Sequence, residues 1–428
     1  MVGDYQTTIK KILARQVLDS RGNPTVEVEI ITQNNIRGKA IVPSGASTGI
    51  HEALELRDNE KAYLGQGVMK AIYNVKMLSK LLKGWNIFDQ EGLDTFMKSV
   101  DGTPNKSDLG ANCILGISMA ASRTAAKELK IPYYQYLAKL AKTKKSDICL
   151  PIPFANVING GKHAPGKLKA QEFMIVPVKA RTFSEATMMI SETYHLLREI
   201  IKKKFKSVGV GDEGGFAPPL SKPEEALDLI TQAIKKAGYE KKVMIALDPA
   251  SSEFYNKKTK KYDLGFKKMS YKELSNYWNK LLKKYSIISL EDVFSEDDFE
   301  AWHYFKKNSK IQLVGDDLLV TNPERIKLAI EKKLCNSLLL KVNQIGTLTE
   351  AIESARMVMK KGWTVMVSHR SGETEDTLIA DLAVALGCGQ IKIGAPCRGE
   401  RTAKYNRLLR IEEELGEKSS LKKFKIIK

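Results

Sequence analysis

Five times in the second half of the chain, an apolar run of strand length ends on an ionisable side chain. Residues 243–247 stop at Asp248, 287–290 at Glu291, 311–315 at Asp316, 336–340 at Lys341, and 364–368 at His369-Arg370. A buried strand that ends in a charge delivers that charge to solvent or to a site. Taken singly, each would be read as facing solvent; five in register favour a site. From Glu291 to Asp316, Lys341 and His369 the spacings are 25, 25 and 28 residues, room for one strand and one crossover helix per unit. The segments between, 323–333, 348–361 and 375–387, carry apolar residues at steps of three and four and are expected as helices. Repeated βα units imply a parallel sheet with right-handed crossovers. Chemistry at the carboxyl ends of successive strands is the layout of a (β/α)8 barrel's active face.

The first third has a different period. Val26, Val28 and Ile30 alternate with Glu27 and Glu29 after the turn-forming cluster 19–24, so residues 1–42 are expected as a three-stranded meander. Residues 43–49, Pro-Ser-Gly-Ala-Ser-Thr-Gly, suit either a mobile loop closing over an anion or metal, or a plain strand-to-helix connection, before a helical run expected from near Glu52. Helical periodicity continues through 68–83, 108–130 and 132–142, with a break at 102–105. A linker at 143–147 precedes strands at 152–157 and 172–178 and helices at 184–204 and 223–236. The fold expected is an N-terminal α+β domain, residues 1–142, followed by a (β/α) barrel, residues 148–428, with an irregular ββαα start.

Length agrees, since a barrel takes about 250 residues and the chain has 428. Hydrophobic content of 43% with 28% charged residues is that of a globular protein rather than a disordered one. No basic and apolar leader or membrane-length apolar run is seen, so the expected compartment is the cytoplasm, with no membrane span. The five cysteines include no C-x-x-C pair, which argues against a disulfide framework or a zinc site. A net charge of +19 invites a nucleic-acid partner, but the lysines are spread along the chain and often sit beside acids, as at 240–242 and 331–333. A generally basic surface is the better reading, and it would help draw in a small anionic substrate.

Asp248, Glu291 and Asp316 are three carboxylates on three strand ends. Oxygen ligands without histidine or cysteine select a hard ion such as Mg²⁺, and three converging acids would repel without a cation. Lys341 follows on the next strand. To act as a base it must be brought down from a pKa of about 10.4 at a cost of about 4 kcal/mol, which Mg²⁺, Arg370 and Lys392 could supply. Glu213, flanked by glycines in 210–216, suits an acid aimed at a substrate, the alternative being an exposed glutamate in a turn. His163, in the loop 159–163, is on its own structural.

The stretches SGASTG (44–49), VGDEGGFAP (210–218), LLKVNQIGT (339–347), SHRSGETED (368–376) and DSRGNPTVEVE (19–29) together resemble the enolase family, from about Ile9 to about Leu415. Enolase-superfamily sites are known to pair a lysine or histidine base with one or two Mg²⁺ ions. The resemblance implies reversible dehydration of 2-phosphoglycerate to phosphoenolpyruvate. It implies Lys341 as the base, Glu213 as the acid that protonates departing hydroxide, and Glu172 and His163 beside it. Asp248, Glu291 and Asp316 would hold one Mg²⁺, and Ser47 a second that arrives with substrate. Arg370 and Ser371, next to His369, match phosphate-binding positions, Lys392 a carboxylate-binding one, and Gln171 completes the pocket. The family is dimeric and sometimes octameric. Departures from its pattern are Pro165, Pro249, Val293 and Ile393, none at a catalytic group. The alternatives are another enolase-superfamily enzyme and a secondary surface-binding role of the basic tail 421–428. Against the first, Lys179-Ala180-Arg181 lacks the paired lysines such enzymes place after the second barrel strand.

Overall fold

The computed structural model describes residues 7–45, 49–206 and 208–424. The N-terminal domain opens on an antiparallel sheet of β1 (Ile9–Leu18), β2 (Pro24–Thr32) and β3 (Arg37–Ile41), in that order. Asp19 builds the first turn by accepting from the amides of Arg21 and Asn23 at 2.8 and 2.9 Å. The meander is less half-exposed than its alternation suggests. As the central strand, β2 also buries Glu27, which pairs with Arg15 and Lys39 on its two neighbours.

Helices α1 (Met69–Leu81), α2 (Gln90–Asp101), α3 (Ala111–Glu128) and α4 (Tyr133–Leu140) complete this domain. Helix α3 lies on the sheet closely enough that a Cβ on Gly116 would meet Val28 at 2.6 Å, so glycine is required there. The helical run expected from Glu52 does not form. The amides of Ala53 and Leu54 bond to the carbonyls of Gln344 and Asn105, and Asp58 turns back to accept from the amides of Met69 and Lys70, both at 2.8 Å, capping α1. Helix α2 was not expected; Asp89 caps it through the amide of Gly92.

The barrel closes in the order β4 (Ile152–Asn159), β5 (Glu172–Val176), β6 (Met244–Asp248), β10 (Ile287–Glu291), β11 (Gln312–Gly315), β12 (Ser337–Leu340), β13 (Thr364–Ser368), β14 (Gly389–Lys392) and back to β4. A small sheet of β7 (Tyr255–Asn256), β8 (Lys261–Asp263) and β9 (Lys268–Met269) lies between β6 and the rest. The outer helices are α5 (Phe183–Phe205), α6 (Pro223–Lys236), α7 (Tyr271–Lys284), α8 (Phe299–Asn308), α9 (Pro323–Lys332), α11 (Leu348–Lys360), α12 (Leu378–Leu386) and α13 (Gly399–Leu415), with a single turn, α10 (Val342–Ile345), after β12. Helix α12 starts at Leu378 rather than 375: Asp376, just ahead of the N-cap Thr377, accepts from the amide of Leu378 at 2.8 Å.

One strand departs from a parallel sheet: β5 runs antiparallel to both β4 and β6. Its amino end, not its carboxyl end, therefore lies at the rim where the other strands finish, with Glu172 opposite both Asn159 and Asp248. The interior is packed by Ile152, Phe154, Met174, Val176, Ala246, Val314, Leu339 and Met366, against which Leu421 and Phe424 of the carboxyl-terminal segment also pack. It is a core, not a pore.

At the strand-end rim the two domains are fastened together. Arg123 of α3 grips Asp376 with two nitrogens at 2.7 Å each, Asp94 of α2 accepts from the amide and hydroxyl of Thr349, and Ser44 and Gly372 exchange backbone bonds at 2.8 Å. Ser44, after β3, thus meets the segment that follows β13. Ala46, Ser47 and Thr48 lie outside the described residues, as does the tail 425–428. No helix among the described residues is long and apolar enough to cross a membrane.

Candidate active site

The βα connections carry the expected side chains to one rim, where they line a single cavity. Its wall includes His163 after β4, Gln171 and Glu172 at the head of β5, and Glu213 on the loop between α5 and α6. Asp316, Lys341, Ser368, His369, Arg370, Ser371 and Lys392 complete it. All but the partly exposed Lys341 are buried. Asp248 and Glu291 stand directly behind, each bonded to Lys392. A roomier groove involving Tyr271, Phe299 and His303 is built from the outer helices, not from strand ends. Every expected site residue except Ser47, which lies outside the described residues, is thus gathered at this mouth.

On one side charges are closed into ion pairs. Lys341 Nζ donates to Asp316 Oδ2, while Gln344 donates to Asp316 Oδ1 at 2.8 Å. Lys392 Nζ lies 2.7 Å from Glu291, 3.1 Å from Asp248 and 3.1 Å from Glu172, deep in the barrel with 1% exposure. Arg370 is met from the N-terminal domain by Glu52, at 3.0 and 3.3 Å. These partners set the protonation states. Burial would lower Lys392, but Asp248, Glu172 and Glu291 hold it well above the ordinary lysine range. Lys341 behaves likewise: burial, Arg370 and Lys392 pull it down, yet Asp316 outweighs them and keeps it raised. The expectation of a lysine already brought down by its neighbours is therefore not met while Asp316 is its partner.

The other side is different in kind. Glu213 accepts from Asn156 Nδ2 at 2.8 Å, and its Oε1 lies 3.4 Å from both His163 Nδ1 and His369 Nε2. His163 Nδ1 is also 3.5 Å from Glu172 Oε1. None of these imidazole contacts has hydrogen-bond alignment, so both ring nitrogens are buried donors or acceptors awaiting a partner. Burial lowers both histidines, His369 well below the ordinary range, and keeps the rings neutral. Burial, the charge of Glu213 and those of Asp248 and Glu291 push Glu172 well up; for Glu213 burial is outweighed by His369, His163, Arg401 and Lys392, which hold it well down. Because the imidazoles are neutral, they act on Glu213 as N–H dipoles, and Arg401 and Lys392 are the lasting charges. The proton affinities of the two neighbouring acids are thus pushed apart, that of Glu172 upward and that of Glu213 downward.

The glycines around Glu213 serve closeness rather than mobility. A Cβ on Gly211 would strike the carbonyl of His163 at 2.5 Å, and one on Gly215 the side chain of Asn159 at 2.6 Å. Glu213 is 2% exposed, which rules out an exposed turn glutamate.

The metal expectation meets a mixed arrangement. Among the described residues, the groups whose potential ligand atoms come within 4.8 Å of one another are His163–Glu172–Glu213 and Asp292–Asp316–Asp317, not the trio Asp248–Glu291–Asp316. Asp292 is a loop anchor, accepting from the amides of Asp316 and Asp317 at 2.9 and 2.8 Å. The trio nevertheless fits a hard dication. Its donors are all carboxylate oxygens, Glu291 Oε2 is buried with no hydrogen-bond partner among the described residues, and burial together with the charges of Asp248 and Asp316 raises Glu291 well above the carboxylate range.

Comparison with known proteins settles the family. Residues 147–428 match the model of the enolase C-terminal TIM barrel domain and residues 9–137 that of the enolase N-terminal domain. The enolase of Methanocaldococcus jannaschii is 56% identical over 416 residues, spanning 96% of this chain and 97% of that protein. The chain belongs to the enolase family. Its departures from the enolase pattern keep clear of the cavity wall: Val293 and Ile393 are fully buried core residues and Pro165 is exposed. Lys179 follows β5 at the end away from the rim, so it could not serve as the base of a related superfamily site.

Several residues that shape this enolase-family site went unread in the sequence: Glu52, Asn156, Asp292, Gln344 and Arg401. For Arg401 a signal existed. It occupies the same helical phase as Tyr405, Leu408 and Ile411 on the buried face of α13, and a cation in an apolar phase has a polar partner inside.

Proposed function

We propose that this chain catalyses the reversible, Mg²⁺-dependent dehydration of 2-phosphoglycerate to phosphoenolpyruvate and water, as a hydro-lyase of glycolysis and gluconeogenesis. The observation that carries the assignment of roles is the opposition, within one buried cavity, of Lys341 to the Glu172–Glu213 pair, whose proton affinities are pushed apart.

Lys341 takes the proton from the carbon next to the substrate carboxylate; its amine must first leave Asp316 and lose its own proton, which burial, Arg370 and Lys392 favour. The C–H electron pair is first held on that carbon and spread into the carboxylate; in a second step it becomes the new double bond as the C–O bond breaks, and Glu213 gives its proton to the departing hydroxide, forming water. Glu172 supplies that proton to the pair, and His163 lies within 3.5 Å of both acids to bridge them. Arg370 and Ser371 hold the phosphate, Lys392 the carboxylate, and Gln171 and His369 close the pocket. When bound, two Mg²⁺ ions, one held by Asp248, Glu291 and Asp316 and one arriving with substrate beside Ser47, supply positive charge against the carboxylate where negative charge builds up.

The working units are residues 1–142, which bring Glu52 to the mouth, and the barrel, 148–428. The five cysteines are free, which suits a reducing cytoplasm. The working form is a homodimer or a higher even oligomer. The test is the absorbance of phosphoenolpyruvate formed from 2-phosphoglycerate, with and without Mg²⁺. A Mg²⁺-dependent rise is expected, and no signal from folded protein would refute the reading.

A further inference from the structure

One cation in this region, so far only a charge near Glu213, touches three of the segments that form the cavity. Arg401 is wholly buried on α13. One guanidinium nitrogen lies 2.7 Å from His369 Nδ1 and donates to the carbonyl of Arg370 at 2.6 Å. Another donates to the carbonyl of Ser371 at 2.7 Å and to that of Asp212 at 3.0 Å. Its stem packs where β14 turns away: a Cβ on Gly394 would meet Arg401 Cδ at 2.9 Å and the His369 ring at 3.2 Å, and Gly394 has the positive φ of +80° that favours glycine.

The contact with His369 fixes more than a distance. A guanidinium offers only donors and does not lose its proton in proteins. At 2.7 Å, His369 Nδ1 must therefore be the acceptor, and the ring's single proton must sit on Nε2. That nitrogen is buried, has no hydrogen-bond partner among the described residues, and lies 3.4 Å from Glu213 Oε1. A second proton on the ring would set an N–H against the guanidinium, so the same contact opposes the imidazolium, in line with the depressed proton affinity of His369. The two carbonyl bonds to residues 370–371 and the one to residue 212 hold the segment after β13 and the Glu213 loop at a common spacing.

We infer that Arg401 is a positioning residue: it locks His369 as the neutral Nε2–H tautomer and sets that donor against Glu213 and the bound substrate. The inference rests on the assignment of Glu213 as the acid, and it deepens that reading by naming what orients its neighbour. Orientation by a second group is a recurrent feature of catalytic histidines, and a displacement of about 1 Å at such a site can cost about 100-fold in rate.

The test begins with the unaltered enzyme. Protein labelled with ¹⁵N-histidine holds only five such residues, and the His369 signals are those absent in His369→Asn. Two-bond ¹H–¹⁵N correlations should show His369 as the neutral Nε2–H tautomer from about pH 6 to about pH 9. An Nδ1–H tautomer or an imidazolium in that range would overturn the inference without touching the assignment of the reaction, which the absorbance assay decides separately. In Arg401→Lys, checked for an unchanged thermal melt, the tautomers should mix and kcat should fall about 10- to 100-fold while KM moves less than about 3-fold. A folded Arg401→Lys enzyme with the wild-type spectrum and wild-type kcat would also overturn it. Should that variant not fold, the spectrum of the wild type alone decides.

Discussion

Around one cavity, the two sides manage charge in opposite ways. On the β11–β12 side, Lys341 and Asp316 form a closed pair; Lys392, on β14 next to β4, lies 2.7 to 3.1 Å from the acids Glu291, Asp248 and Glu172. On the β4–β5 side, two acids and two imidazoles sit 3.4 to 3.5 Å apart, unaligned, with buried polar atoms still unsatisfied. The first side has a bond to break before Lys341 can accept a proton. The second holds two neighbouring acids whose proton affinities are pushed in opposite directions, Glu172 up and Glu213 down. The difference assigns the steps: C–H cleavage belongs to the closed side, departure of hydroxide to the open one.

Removing the divalent cation should have the largest effect. With Asp316 left to Lys341 alone, the amine stays protonated, and turnover in excess chelator should drop below detection and return on adding Mg²⁺. Activity that persists in chelator would show that the closed side needs no cation. Next, Lys341→Ala should lower the dehydration rate about 10⁴-fold, the upper end for loss of a general base, while the fold is retained as judged by circular dichroism. Glu172→Gln, which keeps the shape but removes the proton reservoir, should cost about 100-fold in kcat and leave metal-dependent stabilisation intact in a thermal melt. A loss as large as that for Lys341→Ala would mean that the open side is not subordinate to Glu213.

The smallest effect lies away from the chemistry, at the fastening between domains. Arg123→Gln leaves the buried carboxylate of Asp376 without its bidentate partner and should destabilise the folded enzyme by about 3 kcal/mol in urea. Although burial alone would raise it, Arg123 holds the Asp376 carboxyl below its ordinary value. Its contribution is therefore fully present above the unfolded pKa of about 3.9 and is lost as pH falls through the lower folded value. The wild type should accordingly lose this increment only in acid, and Arg123→Gln should show a flatter decline there.

The same contrast explains what could be read from the chain. At the ends of β6, β10, β11, β12 and β13 each charge stands directly after an apolar run, so Asp248, Glu291, Asp316, Lys341 and the His369–Arg370 pair were legible from period and spacing. On the open side that logic fails. Glu172 reaches the rim because β5 is reversed and delivers its first residue rather than its last. Glu213 arrives on the connection between α5 and α6, where Gly211 and Gly214 leave room for backbone carbonyls that a Cβ would meet at 2.5 and 2.7 Å. The run from Glu52 was misjudged for a related reason: its backbone bonds go to Asn105 and Gln344, partners remote in sequence. Lys392 follows Gly389-Gln390-Ile391, where a single apolar side chain makes no apolar run, and its role was found through the family resemblance instead.

The division of labour is tested most directly by Glu213→Gln, incubated with 2-phosphoglycerate and Mg²⁺ in deuterated water and followed by NMR. The account predicts that deuterium still enters at the carbon next to the carboxylate while phosphoenolpyruvate formation falls at least about 100-fold, and that Lys341→Ala shows neither. Exchange lost together with dehydration in Glu213→Gln, or exchange surviving in Lys341→Ala, would contradict it.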